Sequence, residues 1–254
     1  MSSPLLEVEN LSRHFQGLRA VHEVSFSISR GELVGLIGPN GAGKTTVFNC
    51  IAGALPPTSG ELRFDGRRIT GSAPTEVADR GIARTFQNLR VFPDLTVYDN
   101  VSIGAIGRAG TSFFGALIPA LDRGRARRVA DATRSALERF GLAAQAETPA
   151  GNLSYGQKKL LEIARAIALE PKLLLLDEPA AGLNGAETES LAALVRSLRD
   201  EGATVLLVEH DMPMVMGLCD RVLVLDSGQL IANGAPQAIR ADPAVRAAYL
   251  GDEP

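Results

Sequence analysis

The apolar positions fall into short runs of two kinds. Residues 5–8, 24–28, 33–37 and 61–64 are β-type runs punctuated by Gly31, Gly60 and Gly66, which predicts strands joined by tight turns. The run 33–37 is almost wholly apolar, as in a strand buried on both faces, and residues 45–52 then suit a helix. Between 125 and 140 the spacing changes: Val129, Ala132, Ala136, Leu137 and Phe140 recur at helical intervals, with Gly141 placed to end the helix. Residues near 90–160 therefore read as a mainly helical insertion. Beyond Gln157, a helix to 169, a strand at 173–176, a helix at 187–198 and a strand at 204–208 alternate. Strands separated by helices imply a parallel sheet covered on both sides. Short strands at 221–225 and 229–232 follow, then an Ala-rich helical end, with no repeat and no low-complexity linker.

Composition narrows this picture only modestly. A chain of 254 residues is near the upper end of what one core supports, so one globular unit with an inserted subdomain is expected. Apolar residues at 45% and charged residues at 22% are ordinary for a globular domain. A formal charge of −3 offers no broad basic footprint for nucleic acid, so any phosphate-binding charge must be local. The lysines are Lys44, Lys158, Lys159 and Lys172, and one of them decides the case. Cys50 and Cys219 are isolated, which fits a reducing, cytosolic compartment better than a disulfide framework or a zinc site. Glu7 and Glu9 stand where a secretion signal would be basic and then apolar. The longest apolar stretch, 113–121, is broken by Gly115 and Pro119 and is about half the ~20 residues a bilayer span needs, so a membrane role would act through a partner.

The chemistry concentrates in three places. Gly38, Pro39, Asn40, Gly41, Ala42, Gly43, Lys44 and Thr45, followed by Thr46, match the P-loop pattern between a buried strand and a helix. Glycines let successive backbone N–H groups curl around phosphates, and the helix N-terminus adds partial positive charge. Lys44 is expected to contact the β and γ phosphates of a nucleotide and Thr45 to ligate Mg²⁺. Residues 173–176 run as an apolar strand into Asp177 and Glu178. Ligands of open parallel sheets bind at the carboxyl ends of strands, so both acids are expected at the phosphate site, Asp177 for Mg²⁺ and Glu178 to polarise a water. Leu153, Ser154, Tyr155, Gly156 and Gln157 contain an S-x-x-Q capping box, and a capped helix start with a free Gly156 amide is also a phosphate-binding surface.

A P-loop, Gln87 after a strand, the LSYGQ run at 153–157, a strand ending in Asp177 and Glu178, and His210 after the next strand, in that order, resemble the ABC ATPase family over essentially the whole chain. The resemblance implies an α/β P-loop NTPase fold with a mainly parallel sheet, an antiparallel β edge and an inserted helical subdomain. Residues 1–89 and 160–254 would form the nucleotide-binding core and 90–159 the helical subdomain. It implies ATP and Mg²⁺, with Phe15 stacked on adenine, Gln87 reaching Mg²⁺ and the water, and His210 on the γ phosphate. Ser154, Gly156 and Gln157 would act on ATP held by a second ATPase subunit, either a copy or a paralogue. Two positions depart from the family pattern: Tyr155 replaces a glycine of LSGGQ, and Asn184 stands where aspartate is commoner. Residues 84–92, 177–184, 209–214 and 247–251 look like the Liv-type subunit of branched-chain amino acid importers. Urea or amide importers, a lipopolysaccharide-type exporter and a soluble nucleotide switch are the alternatives. The implied partners are membrane permease subunits and, indirectly, a substrate-binding protein, with the chain peripheral on the inner face of the cell membrane. Leu89, Val91 and Phe92, exposed together, would form an apolar patch on which a cytoplasmic helix of the channel docks.

Overall fold

The structure is a computed structural model and describes residues 3–85, 89–108 and 123–250. Strands β1 (Leu6–Phe15) and β2 (Leu18–Ile28) form a hairpin. Its two-residue turn has Gln16 at φ 46° and Gly17 at φ 109°, the double positive φ that matches strand twist. With β4 (Ser59–Phe64) and β5 (Arg67–Arg68) they make an antiparallel sheet of order β2-β1-β4-β5. The second sheet contains β3 (Leu33–Ile37), β6 (Ile82–Arg84), β7 (Leu173–Asp177), β8 (Thr204–Val208), β9 (Arg221–Asp226) and β10 (Gln229–Gly234), in the order β10-β9-β3-β8-β7-β6. Every pairing from β9 to β6 is parallel, and β10 adds an antiparallel edge.

Alternate side chains of the central strands feed two cores. Leu174, Leu176, Val205 and Leu207 face the layer built from α3 (Val97–Arg108), α4 (Arg123–Arg139), α5 (Tyr155–Ile167), α6 (Gly185–Asp200) and α7 (Met212–Leu218). Leu173, Leu175, Leu206 and Val208 face α1 (Lys44–Ile51) and the antiparallel sheet. Burial on both faces is why these strands read as unbroken apolar runs. The described residues also form the short α-helices α2 (Pro74–Asp79), α8 (Pro236–Ala241) and α9 (Pro243–Leu250). Among the described residues no helix is long and apolar enough to cross a membrane. Both cysteines are free and buried, which pushes the Cys50 thiol up to about 11 and Cys219 to about 12.

Strands β3 and β8 have the predicted bounds, and Gly141 ends α4 at φ 66° as expected. Helix α5 starts three residues earlier than the predicted 158 because the reciprocal Ser154–Gln157 capping box places its first turn at Tyr155. Helix α6 starts two residues early for the same reason, through an unforeseen box between Asn184 and Glu187. Strand β1 runs seven residues beyond the predicted 5–8, with Glu9, Asn10 and His14 exposed, Ser12 buried, and an irregularity at Asn10, φ 48°. α5 passes unbroken through 159/160, so the expected division between core and helical subdomain runs along a helix.

One buried amide organises the entry to α3. Asn100 is fully buried; its Oδ1 accepts from Phe92 N–H at 2.9 Å, and its Nδ2 donates to the carbonyls of Phe92 at 3.0 Å and Thr96 at 2.9 Å. Asn100→Ala should therefore destabilise the protein by about 1–3 kcal/mol, the cost of leaving these backbone groups unpaired, measured as a lower midpoint in urea unfolding.

Candidate active site

Parallel pairing places the ends of β3, β7 and β8 along one edge, since Val208 is level with both Leu36 and Asp177. The chain leaves β3 into the loop 38–43. A side chain on Gly38 (φ 149°) would put its Cβ 2.1 Å from the Leu225 carbonyl, and one on Gly43 (φ 99°) would put it 2.5 Å from the Ala20 carbonyl. Both glycines are thus required by close backbone approach. Gly41 opens to free space, while Pro39 O accepts from Ala42 N–H at 3.2 Å and narrows the loop. Helix α1 starts with no side-chain cap, so its first N–H groups are available to an outside acceptor.

Lys44 is 8% exposed and its Nζ donates to the carbonyls of Gly38 at 2.7 Å and Pro39 at 2.9 Å, so the ammonium turns back inside the loop. Burial holds its pKa below the ordinary lysine value, with the charges of Glu178 and Asp177 opposing that shift. Thr45 is exposed and Thr46 half-buried beside it, as are Pro39 (half-buried) and Asn40 (exposed).

At the end of β7, Asp177 is buried and its backbone N–H donates to Thr85 Oγ1 at 3.2 Å. Burial first, and then the neighbouring Glu178 charge, push its pKa up, against the pull of Arg84 and Lys159. Glu178 is half-buried at φ 46°, and its N–H donates to Val208 O at 2.9 Å. At the end of β8, the buried Glu209 accepts from Ala180 N–H at 2.7 Å and His210 N–H at 3.1 Å, while the His210 imidazole is exposed. Phe15 ends β1 with its ring 40% exposed and the Arg13 guanidinium 4.7 Å from its centroid. Gln87 lies outside the described residues.

The LSYGQ residues are not part of this cluster. Ser154, Gly156 and Gln157 line a cleft of about 550 Å³ with Leu183, Asn184 and Glu187, to which none of residues 38–46 contributes. Gly156 is packed so closely that a Cβ there would lie 2.6 Å from Glu187 Oε1. Thr85, Glu209 and Lys159, which brace the site, were not anticipated. Glu209 carried a readable signal, an acid directly after an apolar strand as at Asp177; the other two carried none.

The donor set fits Mg²⁺ presented with a phosphate chain. No group of three acidic, His or Cys side chains that could hold a metal occurs among the described residues. A hydroxyl at Thr45 and a buried carboxylate short of counter-charge at Asp177 are the hard oxygens Mg²⁺ takes when phosphates and water supply the rest.

In the nucleotide-free protein the ionised Asp177 is destabilising. Its folded pKa lies above the unfolded value, so the penalty is present at neutral pH and disappears as pH falls through the folded pKa. Asp177→Asn should raise the melting temperature of metal-free protein at pH 8, with the gain shrinking progressively in acid.

The description "ABC transporter" belongs to the family model that matches residues 21–181, and a second model, "Branched-chain amino acid ATP-binding cassette transporter", matches 229–254. The chain is 45% identical over 255 residues to the high-affinity branched-chain amino acid transport ATP-binding protein LivG of Salmonella typhimurium, covering 99% of this chain and 100% of that one. It is 44% identical over the same length to BraF of Pseudomonas aeruginosa, with the same coverage. A nucleotide-free ATP-binding cassette from an ABC transporter superposes with TM-score 0.85 at 32% identity, covering 98% of this chain and 100% of that chain. The ADP conformation of such a cassette gives TM-score 0.85 at 32% identity, covering 99% and 100%. With the phosphate-loop, carboxylate and LSYGQ elements placed as described, the chain belongs to the ABC transporter family as one of its ATP-hydrolysing subunits.

Proposed function

We propose that the chain energises the import of branched-chain amino acids by hydrolysing ATP beneath separate membrane subunits. The observation that carries this reading is the single sheet edge where Lys44, at the start of α1 beyond the loop that leaves β3, feels the charges of Asp177 and Glu178 at the end of β7. The substrate class rests on relatives named for branched-chain amino acid transport and on the matching C-terminal segment.

In this reading the backbone of Gly38, Pro39, Asn40, Gly41, Ala42 and Gly43 wraps the phosphates, with Thr46 at the same helix start. Lys44 neutralises the β and γ phosphates, and Phe15 offers its exposed ring to adenine. Thr45, Asp177 and Gln87 hold Mg²⁺, which supplies neutralisation of charge on the transferred phosphoryl group. Glu178 orients and polarises the attacking water, and His210, its backbone held by Glu209, contacts the γ phosphate. Ser154, Gly156 and Gln157 complete the site of a second ATPase subunit, copy or paralogue. The separation of their cleft from the Lys44 loop supports this assignment. The chain would sit peripherally on the inner face of the cell membrane, bound to permease subunits that receive substrate from a binding protein, with no role for nucleic acid.

Leu89, Val91 and Phe92, expected to be exposed together, are not. Val91 packs against the helical core and Leu89 is half-buried, whereas Phe92 is 47% exposed with Arg165 over its ring at 5.6 Å. Leu95, which closes a turn on Phe92, and Ile103 and Ile106 of α3 are also exposed. We assign the docking surface for a channel helix to this region.

Lys44→Ala is expected to weaken ATP binding and abolish turnover, because the lysine acts on the ground-state phosphates as well as the transition state. Glu178→Gln should bind ATP normally and lose about 100-fold or more in kcat, because it acts on water only in the transition state. Equal loss of nucleotide affinity in both would refute these roles. Phe92→Asp should leave the ATPase of the isolated subunit near wild type and abolish co-purification with the permease; loss of folding would place Phe92 in the core instead. Reconstituted with its native membrane partners, the protein should drive uptake of leucine in preference to urea.

A further inference from the structure

Lys159 is a buried charged side chain to which the hydrolytic reading assigns no contact with nucleotide or metal. It lies on α5, is 2% exposed, and its Nζ donates to the carbonyl of Glu178 at 3.2 Å. The ammonium also sits 6.0 Å from the centroid of the Tyr155 ring, one helical turn earlier on the same face. Burying an ammonium is costly unless it is hydrogen-bonded and near negative charge, and Lys159 does act to lower the pKa of the nearby Asp177.

Tyr155 makes the second attachment. Its hydroxyl donates to the Ala181 carbonyl at 3.4 Å, and a Cβ on Gly182 (φ 81°) would lie 2.9 Å from Tyr155 Cε1, so the ring rests directly on the Gly182 backbone. The loop 178–182 is therefore held to α5 near both of its ends. The glycine usual at position 155 in the family would have no ring to offer.

The residue most affected is Glu178. Its φ of 46° is a left-handed conformation that a non-glycine residue keeps only when its surroundings enforce it. Val208 O takes its N–H and Lys159 takes its carbonyl, so both flanking peptide groups are anchored and the carboxylate is aimed by them.

We propose that Lys159 and Tyr155 tie the LSYGQ helix to the loop bearing Glu178, so that engagement of that helix with nucleotide on a second subunit sets the aim of the water-polarising carboxylate in this subunit's own site. Lys159 is in this sense a positioning residue. The proposal rests on the assignments of Glu178 and of Ser154, Gly156 and Gln157 made above.

The test measures steady-state ATP hydrolysis, affinity for a fluorescent ATP analogue and melting temperature, with the subunit assembled with its native membrane partners. Lys159→Met, which removes the donor, should lower kcat about tenfold or more with KM and nucleotide affinity within about twofold. Lys159→Gln, which restores an N–H donor without charge, should recover kcat to within about threefold of wild type at the melting temperature of the Met variant. Tyr155→Ala, at a half-exposed position, should lower kcat about threefold at unchanged nucleotide affinity, and it decides the matter if Lys159→Met does not fold. Wild-type kcat in Tyr155→Ala, wild-type kcat in a folded Lys159→Met, or a Gln variant no better than Met would overturn the proposal. Glu178→Gln is run alongside: if it keeps turnover, the role of Glu178 itself fails, whereas an inactive Glu178→Gln beside fully active Lys159 and Tyr155 variants removes the coupling alone.

Discussion

Parallel pairing of β3 with β8 and of β8 with β7 is the constraint on which the rest of the molecule depends. Because Val208 is level with Leu36 on one side and Asp177 on the other, the phosphate loop, the carboxylate pair and the Glu209–His210 turn leave the sheet at the same height. Parallel neighbours cannot be joined by tight turns, so the connections must be long crossovers packed on the faces of the sheet. Those crossovers bury both faces of β3, β7 and β8, and the burial in turn makes the edge a region of low dielectric. A shift of one residue in either pairing would exchange the two core faces and move the acids away from Lys44.

That low dielectric works in opposite directions on the groups it collects. It pulls the pKa of Lys44 down and pushes that of Asp177 up; the Glu178 and Asp177 charges partly offset the first shift, and Arg84 and Lys159 partly offset the second. The cluster is left with an Asp177 carboxylate whose burial outweighs the nearby positive charge, and with a helix start that has no side-chain cap. A divalent cation arriving with a phosphate chain would satisfy both together, which supports the proposal that nucleotide and metal bind as a pair. The carbonyls of Gly38 and Pro39 hold the Lys44 ammonium inside the loop.

Two capping boxes meet on the other face. Ser154 with Gln157 and Asn184 with Glu187 each satisfy their own helix start, and Gly156 lies against Glu187 between them. Asn184 accepts from Glu187 N–H at 3.0 Å as an aspartate would, so the departure from the commoner residue leaves the cap intact. Tyr155, the other departure, fills the space between α5 and the loop after Glu178 and links the two. The two unusual residues thus sit on either side of one junction.

The sequence by itself determined what depends on neighbours along the chain. The bounds of β3 and β8, the Ser154–Gln157 cap, the stop at Gly141 and the glycines of the phosphate loop all follow from local periodicity, capping or backbone freedom. Tertiary structure alone decided which surfaces meet. Val91 faces the core while Phe92 faces solvent, although both lie in one apolar stretch, because Asn100 of α3 holds the backbone of Phe92 at the surface. The short strand β6 exists because β7 offers it an edge, and Thr85 reaches Asp177 only through that pairing. Lys159 reads in the sequence as a lysine on a polar helical turn; that it is buried against the carbonyl of Glu178, 19 residues away, follows from the packing of α5 on the end of β7. Periodicity shows that a face is apolar or polar, but the partner of that face is chosen by crossovers whose ends are far apart in the chain.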